Sequence, residues 1–336
     1  MKRVSIKDIA KQVGVVPSTV SFVLNGKAKE MRISDELAER IRAVVKETGY
    51  QPNSTAVSLR TGKTKTLGLI VEDISNVFFA TLAKTIEDEA YALGYKIVYC
   101  STENDDKKGT ELIRMLSNQQ VDGYLITPCQ GMADEVRTLL THKRPVVLMD
   151  RYFTNVEVPY VLVDNSAGIK LGMEHLINKG YRKIAFITVD LEQIQMQERE
   201  AAYKECITTY KLPGEFILKL PYTIKPEEAI KQISAYINSL TGLDAVFFAT
   251  NYLGVYGLES IKNQKLSIPN ELAVICFDDH DIFRLYTPEI TIVKQPINQI
   301  AITAIQLLMK QFEKQELTTE ELHIFKKPEL IVRAST

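Results

Sequence analysis

The chain has 336 residues, a formal net charge of −1 and 45% hydrophobic residues, which is typical of a globular protein with two or three domains. No apolar run approaches the roughly 20 residues of a membrane-spanning helix, and MKRVSIKDIA lacks the apolar core of a secretory signal, so we expect no membrane contact and a cytoplasmic location. Residues 1–65 contain 13 Lys and Arg against 6 Asp and Glu, whereas the remainder is acidic, and this split indicates a polyanion-binding head.

Three short helices are predicted in the first 50 residues. Ser5 and Asp8 resemble a capping box, and apolar residues at helical spacing follow until Gly14. A second helix begins at Pro17, whose missing N–H costs nothing in a first turn, and a third lies between Ser34 and Gly49. A glycine turn between the first two helices indicates a helix-turn-helix head.

The second helix, in VVPSTVSFVLNG, presents an unusual outer face. Val20, Val23 and Leu24 form its buried stripe, so hydroxyl groups, an aromatic ring and an amide point outward. Hydroxyls and amides bond phosphates and base edges, and an aromatic ring can press on a thymine methyl in a major groove. The residues expected to contact DNA here are Ser18, Thr19, Ser21, Phe22 and Asn25. The alternative is that Phe22 covers a neighbouring part of the head.

Beyond a polar connector, the chain alternates strands with helices. In the connector, NSTAVSLR predicts two helical turns capped by Asn53, too short to be stable alone in water. The predicted strands are TLGLIVED, KIVYCST, GYLITP, PVVLMD, YVLVD, KIAFIT, EFILKL, DAVFFAT, ELAVICFDD and TIVKQ. Apolar strands covered by helices predict parallel sheets. Two sheets in tandem predict an α/β body of two doubly wound lobes with a cleft.

Polar and aromatic residues follow several of these strand ends. In doubly wound sheets the carboxyl ends of the strands line the ligand crevice, so we expect these side chains to meet. Carboxylates and guanidinium groups can satisfy adjacent hydroxyls, and an aromatic ring can cover a sugar's C–H face. The set comprises Asn76, Phe78, Phe79, Cys129, Asp150, Arg151, Arg199, Asn251, Asp278 and Gln295. Taken singly, Phe78 and Phe79 are more typical of core residues, and Asp278 of a helix cap.

Three segments carry a resemblance to a known family: IKDIAKQVGVVPSTVSFVLNGK, ISDELAERIRAVVKETGYQPN and SLRTGKTKTLGLIVEDISNVFF. They resemble the Lac/Gal repressor family of bacterial transcription regulators, closely in the head and connector and more loosely across the whole chain. The resemblance implies a head that reads the major groove and a hinge helix that orders only on operator DNA. It also implies a body similar to periplasmic sugar-binding proteins.

The resemblance also implies domain boundaries. It gives a helix-turn-helix head at residues 1–50, a hinge and linker at 51–65 and an effector-binding body at 66–336. The N-terminal lobe would comprise residues 66–164 and 295–324, and the C-terminal lobe residues 165–294 and 325–336.

Residue by residue, the resemblance places Pro17, Ser18 and Phe22 at base-reading positions. It places Leu59 at a leucine wedge in the minor groove, with Ala56 facing the partner hinge, and apolar wedges of this kind kink DNA. Other implied DNA contacts are Ile6, Asn53, Ser58 and Arg60. The chain departs from the family at Val16, usually a serine cap, and at Phe22, often Arg or His, so the usual guanine contact is not expected.

In the body, the resemblance aligns the cleft set with groups that bond sugar hydroxyls and with aromatics that stack on the ring. Gln193 and Gln195 are added to the predicted effector-binding residues, in a loop that carries Arg and Thr in nucleobase-binding relatives, which argues against a purine. Tyr252 stands where family members often have Asp, so the substituent recognised there stays open.

The sequence does not favour an enzyme, a metal or a cofactor. Its four histidines lack metal spacing, and its four scattered cysteines predict buried thiols. GKT at 62–64 lacks the first glycine of a phosphate loop because Val57 stands there. We expect a homodimeric repressor of carbohydrate metabolism genes on a pseudo-palindromic operator, controlled by a sugar-like effector. The alternatives are control by a protein partner or a non-sugar ligand, and a sugar-binding module without DNA function.

Overall fold

In the computed structural model, the described residues are 4–50, 58 and 62–336. The chain divides into two compact units, residues 1–64 and 65–336. In the described part, no helix is long and apolar enough to cross a membrane.

The first unit contains the three helices that the sequence predicts, namely α1 (Ile6–Val13), α2 (Pro17–Leu24) and α3 (Asp35–Thr48). The Ser5–Asp8 capping box starts α1, and Gly14, with a φ of 79°, ends it in a left-handed conformation that favours glycine. Ser34 caps α3, whereas Val16 gives α2 no side-chain cap. The small core consists of Ile9, Ala10, Val13, Val20, Val23, Ala28, Ala38 and Ile41.

The second unit begins with β1 (Thr66–Val71), α4 (Val77–Ala92), β2 (Lys96–Ser101), α5 (Asp106–Asn118), β3 (Gly123–Ile126), α6 (Ala133–Thr141), β4 (Val146–Met149) and β5 (Tyr160–Val163). It continues with α7 (Asn165–Asn178), β6 (Ile184–Asp190), α8 (Ile194–Thr209), β7 (Phe216–Pro221), α9 (Pro226–Ser239), β8 (Ala245–Phe248) and α10 (Asn251–Asn263). It ends with β9 (Ala273–Phe277), α11 (Asp281–Leu285), β10 (Thr291–Lys294), α12 (Ile297–Phe312), α13 (Thr319–Leu322), β11 (His323–Lys326) and β12 (Glu329–Ile331). All ten predicted strands form.

The strands build two sheets, with the orders β11-β5-β4-β3-β1-β2 and β12-β10-β9-β8-β6-β7. The first sheet is parallel throughout, and the second is parallel except for β12 against β10. Strands such as β3, β4, β8 and β9 are buried along their whole length, as the continuous apolar runs require. The two-lobed α/β fold class is therefore confirmed.

We call the first sheet with α4, α5, α6 and α12 the first lobe, and the second sheet with α7 to α10 the second lobe. The chain crosses between them after β5, after β10 and between β11 and β12. This last crossing lies after Lys326, because β11 pairs along its whole length with β5, so it comes later than the sequence-based boundary at residues 324 and 325.

Candidate functional site

The outer face of α2 carries the predicted DNA-contacting residues. Val20 and Val23 are buried in the head core, whereas Pro17, Ser18 and Asn25 are exposed. Thr19, Ser21 and Phe22 are half-buried. The apolar cluster formed by described residues of the head does not include Phe22.

Two other predicted head residues are held locally. Asn25 donates from Nδ2 to the Ser21 carbonyl at 2.6 Å and to Ser21 Oγ at 3.2 Å, so its amide closes the last turn of α2. Ile6 is half-buried and packs against the head core. Asn25 therefore stabilises the end of α2, and Ile6 contributes to the packing of the head.

Most of the predicted hinge lies outside the described residues. Asn53, Ala56, Leu59 and Arg60 belong to this part of the chain. Ser58 is described, and its carbonyl accepts a hydrogen bond from Gly62 N–H at 2.7 Å, the spacing of one helical turn.

In the second unit, the carboxyl ends of both sheets face each other across a cavity of about 50 Å³. A neighbouring recess of about 500 Å³ shares Glu72, Asn76, Tyr222, Asn251 and Tyr252 with this cavity. Predicted residues that line the cavity are Asn76, Phe78, Phe79, Asp150, Gln193, Gln195, Arg199, Asn251, Asp278 and Gln295. The sequence-based prediction missed the lining residues Glu72, Val189, Leu191, Met196, Tyr222 and Thr250, and left the role of Tyr252 open.

Arg151 and Cys129 do not line this cavity; they line an adjoining recess. The Arg151 guanidinium is almost completely buried and is held by Glu72, by Asp150 Oδ2 at 3.2 Å and by Asn104 Oδ1 at 2.9 Å. The predicted direct contact between Arg151 and a ligand is thus not supported by its position. Its role here is to join three loops of the first lobe.

Cys129 is also held by the protein. Its Sγ contacts Thr102 Oγ1 at 3.3 Å, and burial raises the pKa of the thiol. All four cysteines are free and buried.

Arg199, on α8, forms the floor of the site in the second lobe. Its Nε donates to Asn165 Oδ1 at 2.9 Å, its Nη1 donates to the Ala249 carbonyl at 2.7 Å, and its guanidinium stacks over Phe277 at 3.7 Å. Burial lowers the pKa of Arg199, although the Asp278 carboxylate opposes this shift from 3.8 Å away. Arg199 therefore both binds neighbouring protein groups and lines the cavity.

Asp278 lies at the carboxyl end of β9, with a φ of 74°. Its Oδ1 accepts a hydrogen bond from Gln295 Nε2 at 2.6 Å. Burial raises the pKa of this carboxyl to about 6, and Arg199 and Gln295 oppose the rise. Burial likewise raises the pKa of Asp150. Both carboxylates can accept hydrogen bonds from a ligand, and both are costly to keep ionised without one.

Phe78 and Phe79 line the cavity and also belong to the hydrophobic core. Their rings meet edge to face with centroids 4.9 Å apart, and both side chains are buried. Both interpretations offered by the sequence, a cavity wall and a core pair, thus apply to the same residues.

Hydrogen bonds between side chains also join the two lobes. Gln193 Nε2 donates to Asn104 Oδ1 at 2.7 Å, and Asn251 Nδ2 donates to Asn76 Oδ1 at 3.1 Å. Gln130 adds a bond from Nε2 to the Glu192 carbonyl at 3.2 Å. These bonds hold the two lobes together across the cleft.

A helix-turn-helix unit followed by a two-lobed body with a polar interlobe site defines a class of ligand-responsive DNA-binding regulators. Three family models match the chain: "Bacterial regulatory proteins, lacI family" over residues 5–53, "Periplasmic binding proteins and sugar binding domain of LacI family" over 64–213, and "Periplasmic binding protein-like domain" over 173–336. The ribose operon repressor of Halalkalibacterium halodurans is 31% identical, over 99% of this chain and 97% of that protein. The chain belongs to the LacI family of bacterial transcription regulators.

Solved structures agree with this assignment. The Lac repressor dimer bound to operator and the anti-inducer ONPF shares the fold, with a TM-score of 0.86, 20% identity and 99% of each chain covered. A LacI transcriptional regulator from Alkaliphilus metalliredigens complexed with D-xylulofuranose is 25% identical, with a TM-score of 0.71 over 81% of this chain and 99% of that one. The predicted family, fold class and regulatory function are confirmed.

Proposed function

We propose that this chain is a repressor of carbohydrate metabolism genes whose affinity for its operator is set by a small sugar-like ligand bound between the two lobes. The observation that carries the proposal is the convergence of carboxylate, amide and aromatic side chains from both sheets on one interlobe cavity. The names of the ribose operon repressor and of the D-xylulofuranose complex support the same ligand class.

The hydrogen bonds across the cleft suggest how a ligand acts. A ligand that binds between the lobes can exchange interlobe bonds such as Gln193–Asn104 for bonds to itself and so change the arrangement of the lobes. A ligand shifts the equilibrium between arrangements only by the difference in its affinities for them. The ligand is an inducer if the arrangement it favours binds operator less tightly, and a corepressor in the opposite case.

We propose that α2 reads the operator with Pro17, Ser18, Thr19, Ser21 and Phe22. The exposed hydroxyl of Ser18, the half-buried hydroxyls of Thr19 and Ser21, and the position of Phe22 outside the apolar cluster of the head support this role. Operator binding should weaken steeply as salt rises, because basic residues release counterions from phosphates. A salt dependence close to zero would instead favour a head that serves assembly.

We also propose a homodimer on a pseudo-palindromic operator. A groove between α4 and the edge strand β2 of the first lobe is lined by Leu69, Ile74, Ala80, Ala83, Ile97 and Tyr99, with the charged residues Lys84 and Glu87. Ile74 is 50% exposed, and an apolar surface with charged residues beside it favours a protein partner. In sedimentation velocity, Ile74→Asp should weaken the dimer, whereas Leu171→Asp, an exposed apolar position on α7 of the second lobe, should not. A monomeric wild-type protein at micromolar concentration would contradict the dimer.

The ligand is tested by the melting temperature of the full chain against free pentoses and hexoses, their phosphates and nucleobases. A ligand at 100 times its dissociation constant adds about 2.7 kcal/mol of stability, enough to resolve. We expect one free sugar to raise the melting temperature, and Asp278→Asn to reduce that shift. Asp279→Asn, at the neighbouring position outside the cavity lining, is the control. If none of these compounds shifts the transition, control by a sugar is wrong and a protein partner becomes the better candidate.

A further inference from the structure

Both arginines at the interlobe site are already engaged by protein groups. Arg199 gives Nε to Asn165 and Nη1 to the Ala249 carbonyl. Arg151 gives Nε to Asp150, Nη1 to Asn104 and Nη2 to Glu72. Guanidinium groups are the usual partners of phosphate and carboxylate ligands because of their fixed fork of donors. Here five of the six guanidinium nitrogens have acceptors within the protein.

Glu72 is central to this arrangement. It follows β1, in a different loop from Arg151, and lines the cavity, with 12% of its side chain exposed against 3% for Arg151. A buried charge needs compensating partners, and the Glu72 carboxylate holds Arg151 in place together with Asp150 and Asn104. Glu72 also keeps a negative charge at the cavity wall, where Asp150 and Asp278 supply two more against the single lining cation Arg199.

Two of the open hydrogen-bonding positions of the cavity are acceptors, beside the Thr250 hydroxyl, which can donate or accept. Gln195 and Gln295 each have 3% exposure and line the cavity. Their amide nitrogens donate to Gln193 Oε1 and Asp278 Oδ1, whereas Oε1 of each is buried without a hydrogen-bond partner among the described residues. A buried acceptor left unpaired costs free energy, so both oxygens favour a ligand that brings donors. Hydroxyl groups provide donors, and a phosphate dianion provides none.

We propose that Glu72 is a specificity-determining residue. By helping to retain the Arg151 guanidinium and by adding a carboxylate to the cavity wall, it disfavours anions and thereby restricts the ligand to a neutral, hydroxyl-rich molecule without phosphate or carboxylate. This inference rests on the proposed function of the interlobe site and narrows its ligand class.

The experiment compares each free sugar with its own phosphate by isothermal titration calorimetry on the full chain. The pairs are D-ribose with D-ribose 5-phosphate, D-xylulose with D-xylulose 5-phosphate and D-glucose with D-glucose 6-phosphate. For the sugar that binds, we expect its phosphate to bind on the order of 100-fold more weakly, because like charges then face each other in a buried site. Glu72→Gln, which removes one of the three partners of Arg151 and one negative charge from the cavity wall, should narrow that ratio by on the order of 10-fold or more.

Glu103→Gln is the matched control, because it removes the same charge from an exposed carboxylate near Glu72 that pairs with Lys108 at 2.7 Å. It should leave the ratio unchanged. If Glu72→Gln does not fold, Glu72→Asp keeps the charge but shortens the reach to Arg151, and a smaller narrowing of the ratio is then expected.

The outcomes separate this inference from the function on which it rests. A phosphate that binds the wild-type protein as tightly as its free sugar overturns the exclusion of anions and leaves a sugar-responsive repressor in place. If neither Glu72 variant changes the ratio of the affinities for a free sugar and its phosphate, Glu72 does not determine the specificity. Absence of binding by any free sugar or phosphate overturns the sugar-responsive function together with this inference.

Discussion

Gln193 Nε2 and Asn104 Oδ1 form a 2.7 Å hydrogen bond that joins the two lobes across the cleft. Asn104 follows β2 of the first lobe, and Gln193 precedes α8 of the second. The same Asn104 oxygen accepts from Arg151 Nη1 at 2.9 Å. The interlobe bond therefore shares its acceptor with the buried Arg151 guanidinium, which holds the Asn104 side chain in place.

Gln193→Ala should shift the ligand-free protein toward open arrangements. The substitution removes the bond to Asn104, and such a hydrogen bond contributes about 1 kcal/mol. Small-angle X-ray scattering of the ligand-free protein should show a larger radius of gyration than that of the wild type. Gln197→Ala is the control, because Gln197 bonds the Glu192 carbonyl within its own lobe. Superimposable scattering curves for Gln193→Ala and the wild type would contradict this prediction.

Asp278 should make folding stability depend on pH. Burial raises the pKa of its carboxyl from 3.8 to about 6, so between these values the folded protein retains a proton that the unfolded chain has lost. This group therefore stabilises the fold fully below about pH 4, and its contribution is lost as the pH rises through about 6.

The Asp278→Asn side chain is a neutral amide and does not ionise in this pH range. The stability of this variant relative to the wild type should increase by on the order of 2 kcal/mol between pH 4 and 7. Urea unfolding followed by circular dichroism at several pH values measures this difference, with Asp279→Asn as the control. A constant difference between Asp278→Asn and the wild type across the range would rule out the shift.

How far the sequence predicts this site is shown by Glu72 and Arg151. The rule that ligands bind at the carboxyl ends of parallel strands places both residues at one edge of the first sheet, and it also assembles most of the cavity lining. Their pairing is not predictable in the same way, because β3 lies between β1 and β4 in the sheet. The contact depends on loop conformations, including the positive φ of 66° at Asp150, which local sequence patterns do not specify.

Phe22→Ala should relax the preference for one symmetric pair of base positions in the operator. A specific contact with one base pair is worth about 1 to 3 kcal/mol, and Phe22 is outside the head core, so folding should be unaffected. Binding selection from a randomised operator library measures the preference. Met31→Ala removes another exposed apolar side chain of the head, outside α2, and should leave the profile unchanged. If Phe22→Ala leaves the base preference unchanged, Phe22 contributes to packing and not to base recognition.

Leu59→Ala should weaken binding to the operator and leave binding to unrelated DNA nearly intact. A wedge between base pairs acts only where the duplex is kinked, whereas non-specific binding depends on phosphates. Fluorescence anisotropy with operator and scrambled duplexes at the same salt concentration separates the two. Equal losses on both duplexes would exclude the wedge.

Val16→Ser should stabilise α2. Val16 is 61% exposed and offers no side-chain cap, although its extended backbone, with φ −79° and ψ 151°, suits an N-cap serine. A serine hydroxyl there could accept the N–H of Thr19, and a cap of this kind contributes about 1 kcal/mol. Because the valine is exposed, its removal costs little in packing.

Hydrogen exchange of the full chain measures this effect at the amides of α2, where protection should increase by about 5-fold. Ser34→Ala supplies the comparison in the opposite direction, since it removes the existing cap of α3 and should lower the protection of that helix. If Val16→Ser leaves the protection of α2 unchanged while Ser34→Ala lowers that of α3, the missing cap does not limit the stability of α2. The valine at position 16 would then be explained by the surface that α2 presents and not by the stability of this helix.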